Sequence, residues 1–182
     1  MDASPPWTLR GTGLISLALP TATMLVNYED SSVGPYRKLL FVVLENQPRV
    51  TRILVDSEES AAWGRRNWGL PKELADFSWQ DGFVRVEQGG RFLAEFAWTR
   101  AGPRMPATTA LLPGRWTTLA QPWEGRMFST RPQATGHVRL ARLTHVLVNP
   151  ALFPDVRPGP ALKVTDFVMT FPVPRVDPPL TS

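Results

Sequence analysis

Nineteen prolines and thirteen glycines break this 182-residue chain into short apolar segments. Proline removes a backbone donor and fixes φ, and both residues favour turns, so long helices are excluded over most of the sequence. The segments between the breaks are rich in Val, Phe, Trp and Thr, the residues that fit a pleated, half-buried surface. The pattern predicts a mainly β fold, with strands near 9–19, 37–44, 50–55, 83–88, 91–99, 116–120, 126–130, 135–148 and 161–171. In "GRFLAEFAW", Phe92, Ala94, Phe96 and Trp98 fall on one face and Leu93, Glu95 and Ala97 on the other. Gly89-Gly90, between two such runs, is a hairpin signal.

One helix is expected, over residues 58–67. Ser57 is a good N-cap, and Glu58 and Glu59 complement the positive end of the helix dipole. Arg65 and Arg66 complement the negative end, Gly69 suits the position after the last turn, and Pro71 prevents the helix from resuming. Pro71 also restricts the backbone immediately before Lys72.

Length predicts a single domain over 1–182, with loose tails at about 1–6 and 173–182, where proline and small polar residues dominate. The longest strongly apolar run, "LLFVVL" at 39–44, is far shorter than the roughly 20 residues of a spanning helix, which argues against a membrane partner. "MDASPPWTLRG" lacks the features of a signal peptide, so the expected compartment is the cytoplasm. The absence of cysteine excludes disulfides, thiolate metal sites and cysteine nucleophiles. The net charge of +4 is spread over scattered arginines, of which only Arg65 and Arg66 are adjacent, so no nucleic-acid partner is expected. His137 and His145, eight residues apart on one strand, are too far apart to chelate one metal, and no metal site is expected. "GTG" at 11–13 lacks the remainder of a dinucleotide fingerprint.

The basic residues are 17 arginines and only three lysines, Lys38, Lys72 and Lys163. Lys72 stands in "GRRNWGLPKELADFSW", amid Trp68, Leu70, Leu74, Phe77 and Trp79. An ordinary lysine is protonated at neutral pH and has no lone pair with which to attack a carbonyl. Burial or a nearby cation disfavours the ammonium form, and the free amine then condenses with a ketone or aldehyde to a Schiff base. The alternative is a lysine whose stem packs on Trp68 or Phe77 while its head reaches water.

The stretch "VDSEESAAWGRRNWGLPKELADF" resembles the acetoacetate decarboxylase family. Its members carry a short helix ending in Gly-Arg-Glu, an aromatic and small turn, then Pro-Lys; here these are Gly64, Arg65, Arg66, Trp68, Gly69, Leu70, Pro71 and Lys72. "GPYRKLLFVV" from Gly34 resembles the family's upstream tyrosine segment, and "PWTLRGTG" and the strands over 135–171 resemble it more weakly. The resemblance implies a closed, barrel-like antiparallel sheet around an apolar cavity, with Lys72 pointing inward as the Schiff-base nucleophile. It implies Arg10 as an anchor for a substrate carboxylate, a role suited to a guanidinium, and Trp68 as a second substrate-binding residue. Tyr36, Lys38, Arg65 and Glu73 fall in supporting or pKa-tuning positions.

Three positions depart from the family. A second lysine follows the catalytic one in the decarboxylase, where this chain has Glu73; an active-site glutamate lies two residues after the tyrosine, where it has Lys38; and Arg66 replaces the glutamate of Gly-Arg-Glu. Lys38 and Glu73 are therefore expected either as a swapped charge pair around Lys72 or as two residues that face water. The implied function is a lyase acting on a small keto acid, of decarboxylase or aldolase/dehydratase type. No cofactor is expected, since the imine is itself the electron sink, and by analogy with the family the chain assembles as a homo-oligomer. Two other readings are a non-catalytic small-molecule-binding β-barrel that lost the chemistry, and a structural subunit with a Trp-rich contact surface.

Overall fold

Apolar runs of this length, cut by Pro and Gly, assemble by strand pairing. The computed structural model describes residues 2–151 and 156–177. The first half is a meander of antiparallel strands: β1 (Trp7–Ala18), β2 (Thr21–Asp30), β3 (Tyr36–Leu44) and β4 (Pro48–Val55). Helix α1 (Glu58–Trp68) then crosses over to β5 (Lys72–Leu74), which pairs parallel to β4. The second half contains β6 (Asp76–Gln80), β7 (Phe83–Gln88), β8 (Arg91–Arg100) and β9 (Met105–Thr108). A 3-10 turn (Thr109–Leu111) and α2 (Gly114–Thr117) follow, then β10 (Leu119–Trp123), β11 (Arg126–Thr130), β12 (Gln133–Val148), β13 (Gly159–Phe171) and β14 (Arg175–Asp177).

The principal sheet runs β5-β4-β3-β2-β1-β13-β12-β8-β7-β6, with β9 also paired to β12; β10, β11 and β14 form a small second sheet. Gly89 and Gly90, at φ 56° and 76°, close the β7–β8 hairpin with Gln88 opposite Arg91, the left-handed two-residue turn expected of Gly-Gly. The mainly β architecture stands, but the barrel is curled and not closed. After Leu74 the chain stays on β4 for one more bond, Ala75 N–H to Val55 O (2.9 Å), and then turns away to pair with β7. The two edge strands therefore share a corner at Ala75 instead of a ladder.

Two apolar layers result. One is enclosed by the curl: Leu54 of β4, Phe77 of β6, Val84 of β7 and Phe96 of β8 meet there with Leu25 and Phe41, although they come from opposite ends of the sheet. The other lies on the opposite face, between β1–β4 and α1, and contains Trp7, Tyr28, Tyr36, Leu40, Ile53, Ala61, Trp68 and Phe171. Strand alternation divides β3 between them, with Leu39 and Phe41 in the first and Tyr36, Leu40 and Val42 in the second. A fully buried side chain of this size contributes about 1.5–3 kcal/mol, so the helix-covered layer is a substantial part of the core.

Several strands were absent from the expectation. Thr21–Asp30 alternates Ala22, Met24, Val26 and Tyr28 toward the helix layer, but its polar end, Asn27, Glu29 and Asp30, obscures the pattern. The short β5, β6, β9 and β14 are held by their neighbours. The strand expected at 116–120 is the end of α2 followed by the start of β10. The tails are also partly structured. Ala3 is buried, and its carbonyl accepts from Trp7 Nε1 (2.6 Å) and Asn67 Nδ2 (2.9 Å). Arg175–Asp177 pairs with β11. The remainder of the expected tails, residue 1 and residues 178–182, lies outside the described residues.

Candidate functional site

The site is built where α1 crosses from β4 to β5. Ser57 Oγ accepts from Ser60 N–H (3.0 Å), and Gly69 at φ 62° ends the helix with its N–H on Arg65 O. Lys72 N–H donates to Leu70 O across Pro71 (2.8 Å), a three-residue turn that sets where β5 begins. Arg65 donates through Nε (2.8 Å) and Nη2 to the Lys72 carbonyl. The lysine backbone is therefore held on both sides, and its side chain runs under the helix. It passes Gly64, where a Cβ would lie 2.5 Å from Lys72 Cε.

Lys72 is 3% exposed. Its Nζ donates to Ser60 Oγ (2.7 Å) and lies 5.6 Å from the Trp7 ring centroid and 5.2 Å from that of Tyr36. The expected inward orientation is thus refined: Lys72 points into the layer beneath α1 and not into the space enclosed by the curl. Lys38 reaches the same place from β3, its Nζ donating to Tyr28 Oη (2.5 Å) and lying 4.7 Å from that ring's centroid. The Tyr28 and Tyr36 rings are 4.7 Å apart, so two amines sit on two adjacent aromatic rings.

Trp7, Leu9, Tyr28, Tyr36, Lys38 and Lys72 line a cavity of about 20 Å³, completed by Trp68, Leu70 and Phe171. This is room for about one water. The aromatic walls are fixed: Trp68 packs edge-on against Trp7 (5.0 Å) and Phe171 (4.8 Å), and its Nε1 donates to Pro172 O (2.8 Å). Among the described residues that line it none is a carboxylate, which decides the electrostatics. Burial, and then the neighbouring Lys38 charge, hold the Lys72 amine well below lysine's ordinary value. Burial alone pulls Lys38 down to about 7. Burial pushes both tyrosine phenols up, with Ser60 hydrogen bonding partly opposing it at Tyr36. The aromatic faces favour a cation, but without a counter-charge desolvation prevails.

Of the residues singled out in the sequence, Lys72, Lys38, Tyr36 and Trp68 converge on this cavity. Arg65 supports it from behind. Glu73 alternates to the other face of β5 and pairs with Arg52 (3.2 Å), so it does not face Lys38. Arg10 is exposed on the opposite face of β1 from Trp7 and Leu9 and is not among the cavity-lining residues. Arg66 is exposed and stacks on Trp63 (5.1 Å). His137 and His145 lie beside different carboxylates, Asp166 (3.8 Å) and Glu95 (3.0 Å). A wider open cleft of about 560 Å³ lies between the end of α1 and the β10–β11 hairpin, but its lining residues include no lysine. Sequence reasoning missed Tyr28 and Ser60, and took Gly64 only as part of the motif before Pro71 and Lys72. The available signal was Ser60 and Gly64, four residues apart on one helix face, since a glycine inside a helix costs about 1 kcal/mol and calls for a packing reason.

The family profile "Acetoacetate decarboxylase (ADC)" matches residues 21–166, most of the chain, including Lys38, α1 and Lys72 but not the cavity-lining Trp7, Leu9 and Phe171. The chain belongs to the acetoacetate decarboxylase family. Its fold is that of solved family members. The acetoacetate decarboxylase from Legionella pneumophila superposes with a TM-score of 0.66 at 11% identity, over 100% of this chain and 92% of that one. The enduracididine biosynthesis enzyme MppR complexed with pyruvate gives 0.66 at 12% identity, over 97% and 91%. Among curated proteins, the Arabidopsis thaliana protein NEOXANTHIN-DEFICIENT 1 is 28% identical over 42% of this chain. That match takes in only 37% of the relative's own length.

Proposed function

We propose that this acetoacetate decarboxylase family member forms a Schiff base between Lys72 and a small carbonyl compound, and acts as a lyase of decarboxylase or aldolase/dehydratase type. The observation that carries the reading is the Lys72 amine: 3% exposed, hydrogen-bonded to a neutral hydroxyl, and sharing its cavity, among the described residues, with a second amine and no carboxylate. A charge at that position is disfavoured, so the amine is available as a nucleophile near neutral pH. The pyruvate bound to the structurally similar MppR supports a small keto acid as the substrate class. Ser60 Oγ, beside Nζ, is placed to assist proton transfers as the carbinolamine loses water.

A second reading, a binding protein without chemistry, is favoured by one observation: the described residues of the cavity include no arginine to hold a substrate carboxylate and no carboxylate for acid–base work. Borohydride reduction in the presence of pyruvate, acetoacetate or acetone, followed by intact and peptide mass spectrometry, separates the two. The lyase reading expects a stable adduct on Lys72 that is absent in Lys72→Met. Folded protein that gives no adduct with any of the three would leave the binding reading in its place.

A further inference from the structure

A buried imine is only the first half of a reaction; something must then move a proton. We propose that Lys38 is the catalytic base that removes a proton from the carbon next to the Lys72 iminium, so that the site carries out enamine-forming chemistry on ketones and 2-oxo acids. The inference rests on the imine reading above and extends it. Among the described residues Lys38 Nζ is the one other amine on the cavity wall, and none of them brings a carboxylate or imidazole there to compete for the role. Its hydrogen bond to Tyr28 Oη and its place over the Tyr28 ring fix its direction beside the Tyr36 ring that carries Lys72.

Charge conservation in the cavity argues for this step. The Lys72 amine adds to the carbonyl carbon, and the resulting carbinolamine hydroxyl takes up one proton from solvent and leaves as water, giving a protonated iminium. Neutral Lys38 then takes the proton from the adjacent carbon. The C–H electron pair becomes the C=C bond of the enamine, and the C=N pair returns to the Lys72 nitrogen. One positive charge leaves Lys72 and one appears on Lys38, so the apolar cavity never holds two. With burial holding its amine at about 7, Lys38 is available both to accept and to return a proton near neutrality.

The test is deuterium exchange into the methyl groups of acetone and pyruvate in D2O, followed by proton NMR, beside borohydride trapping on the same samples. We expect exchange in the native chain, and a loss of about 10²–10⁴-fold in both Lys38→Met and Lys38→Arg, the range for removing an acid–base group. Trapping at Lys72 should persist in at least one variant. Exchange in the native chain should rise with pH through the Lys38 titration. The titratable groups facing Lys38 are Tyr28, Tyr36 and Lys72; both phenols are pushed up out of that range, and Lys72 is consumed in the imine. Native-like exchange in a trapping-competent Lys38→Met protein would overturn the proposal. So would trapping without exchange in the native chain, which leaves the imine reading intact. A Lys38→Met protein that loses pyruvate trapping but still exchanges acetone would make Lys38 a carboxylate anchor and overturn it as well. No trapping anywhere removes the imine reading itself.

Discussion

Gly64 and Lys72 occupy one volume: a methyl group on Gly64 would lie 2.5 Å from Lys72 Cε, 2.6 Å from Cδ and 2.8 Å from Nζ. The helix therefore carries a glycine in its last turns so that a lysine side chain can pass beneath it. Gly64→Ala should displace the amine from Ser60 and reduce borohydride trapping by about 10²-fold, the scale of a 1 Å misplacement of a reacting group. The fold should survive, because the roughly 1 kcal/mol gain in helix propensity offsets part of the about 1–3 kcal/mol cost of overpacking. Circular dichroism and a thermal melt beside the trapping assay check both halves. Full trapping in Gly64→Ala would mean that the amine does not need this channel.

Stability should rise with pH above neutrality. Lys38 is held at about 7 in the folded protein against an ordinary value of 10.5, and burial lowers Lys72 and Lys163 in the same direction. Between those values the unfolded chain binds protons that the folded chain does not. Unfolding free energy therefore increases with pH, by at most about 1.4 kcal/mol per unit for each such group. Lys38 is only half-buried, which reduces its share. Urea titrations at pH 7, 8 and 9 should show the rise, and Lys38→Met should remove part of it. A flat or falling profile would contradict the burial of neutral amines.

On the Schiff-base reading, Leu70 is expected to set the size of what reaches Lys72. It lines the cavity of about 20 Å³ beside Lys72, and the space is smaller than a four-carbon oxo acid. Leu70→Ala should enlarge it at a cost of about 2–5 kcal/mol. It should shift trapping toward longer 3-oxo acids relative to acetone. Unchanged preference across a chain-length series, in a variant shown to be folded, would place the size limit elsewhere.

The parts of the site that sequence made legible are those set by local chemistry. Helix α1 was readable because capping, charge placement and Pro71 act within a few residues, and the structure extends it by one residue, to Trp68. Lys38 and Lys72 stood out because lysine is so rare in this chain, whereas of the cavity's aromatic residues only Tyr36 and Trp68 were singled out. Lys163, the third lysine, is also buried, 5.8 Å from the Trp98 ring centroid. What could not be read depends on strand parity and distant pairing. Arg10 precedes an irregularity between Gly11 and Gly13, and its face is decided by pairing with β2 and β13. Glu73 looks like a neighbour of Lys72 in sequence, but alternation sends it to Arg52. Tyr28 joins the site only because β2 pairs with β3, placing it opposite Tyr36.

The central claim is that Lys72 is a neutral amine in the folded protein near pH 7. With three lysines in the chain, protein labelled with 13C at the lysine ε-carbon gives three signals, assignable by three single Lys→Met variants. Following them from pH 6 to 11 reads each titration directly. The account predicts that the Lys72 signal keeps its neutral-amine position throughout the neutral range, with Lys38 titrating near 7. A Lys72 signal that titrates near 10.5 in folded protein would contradict the account, and with it the nucleophile on which the proposed function rests.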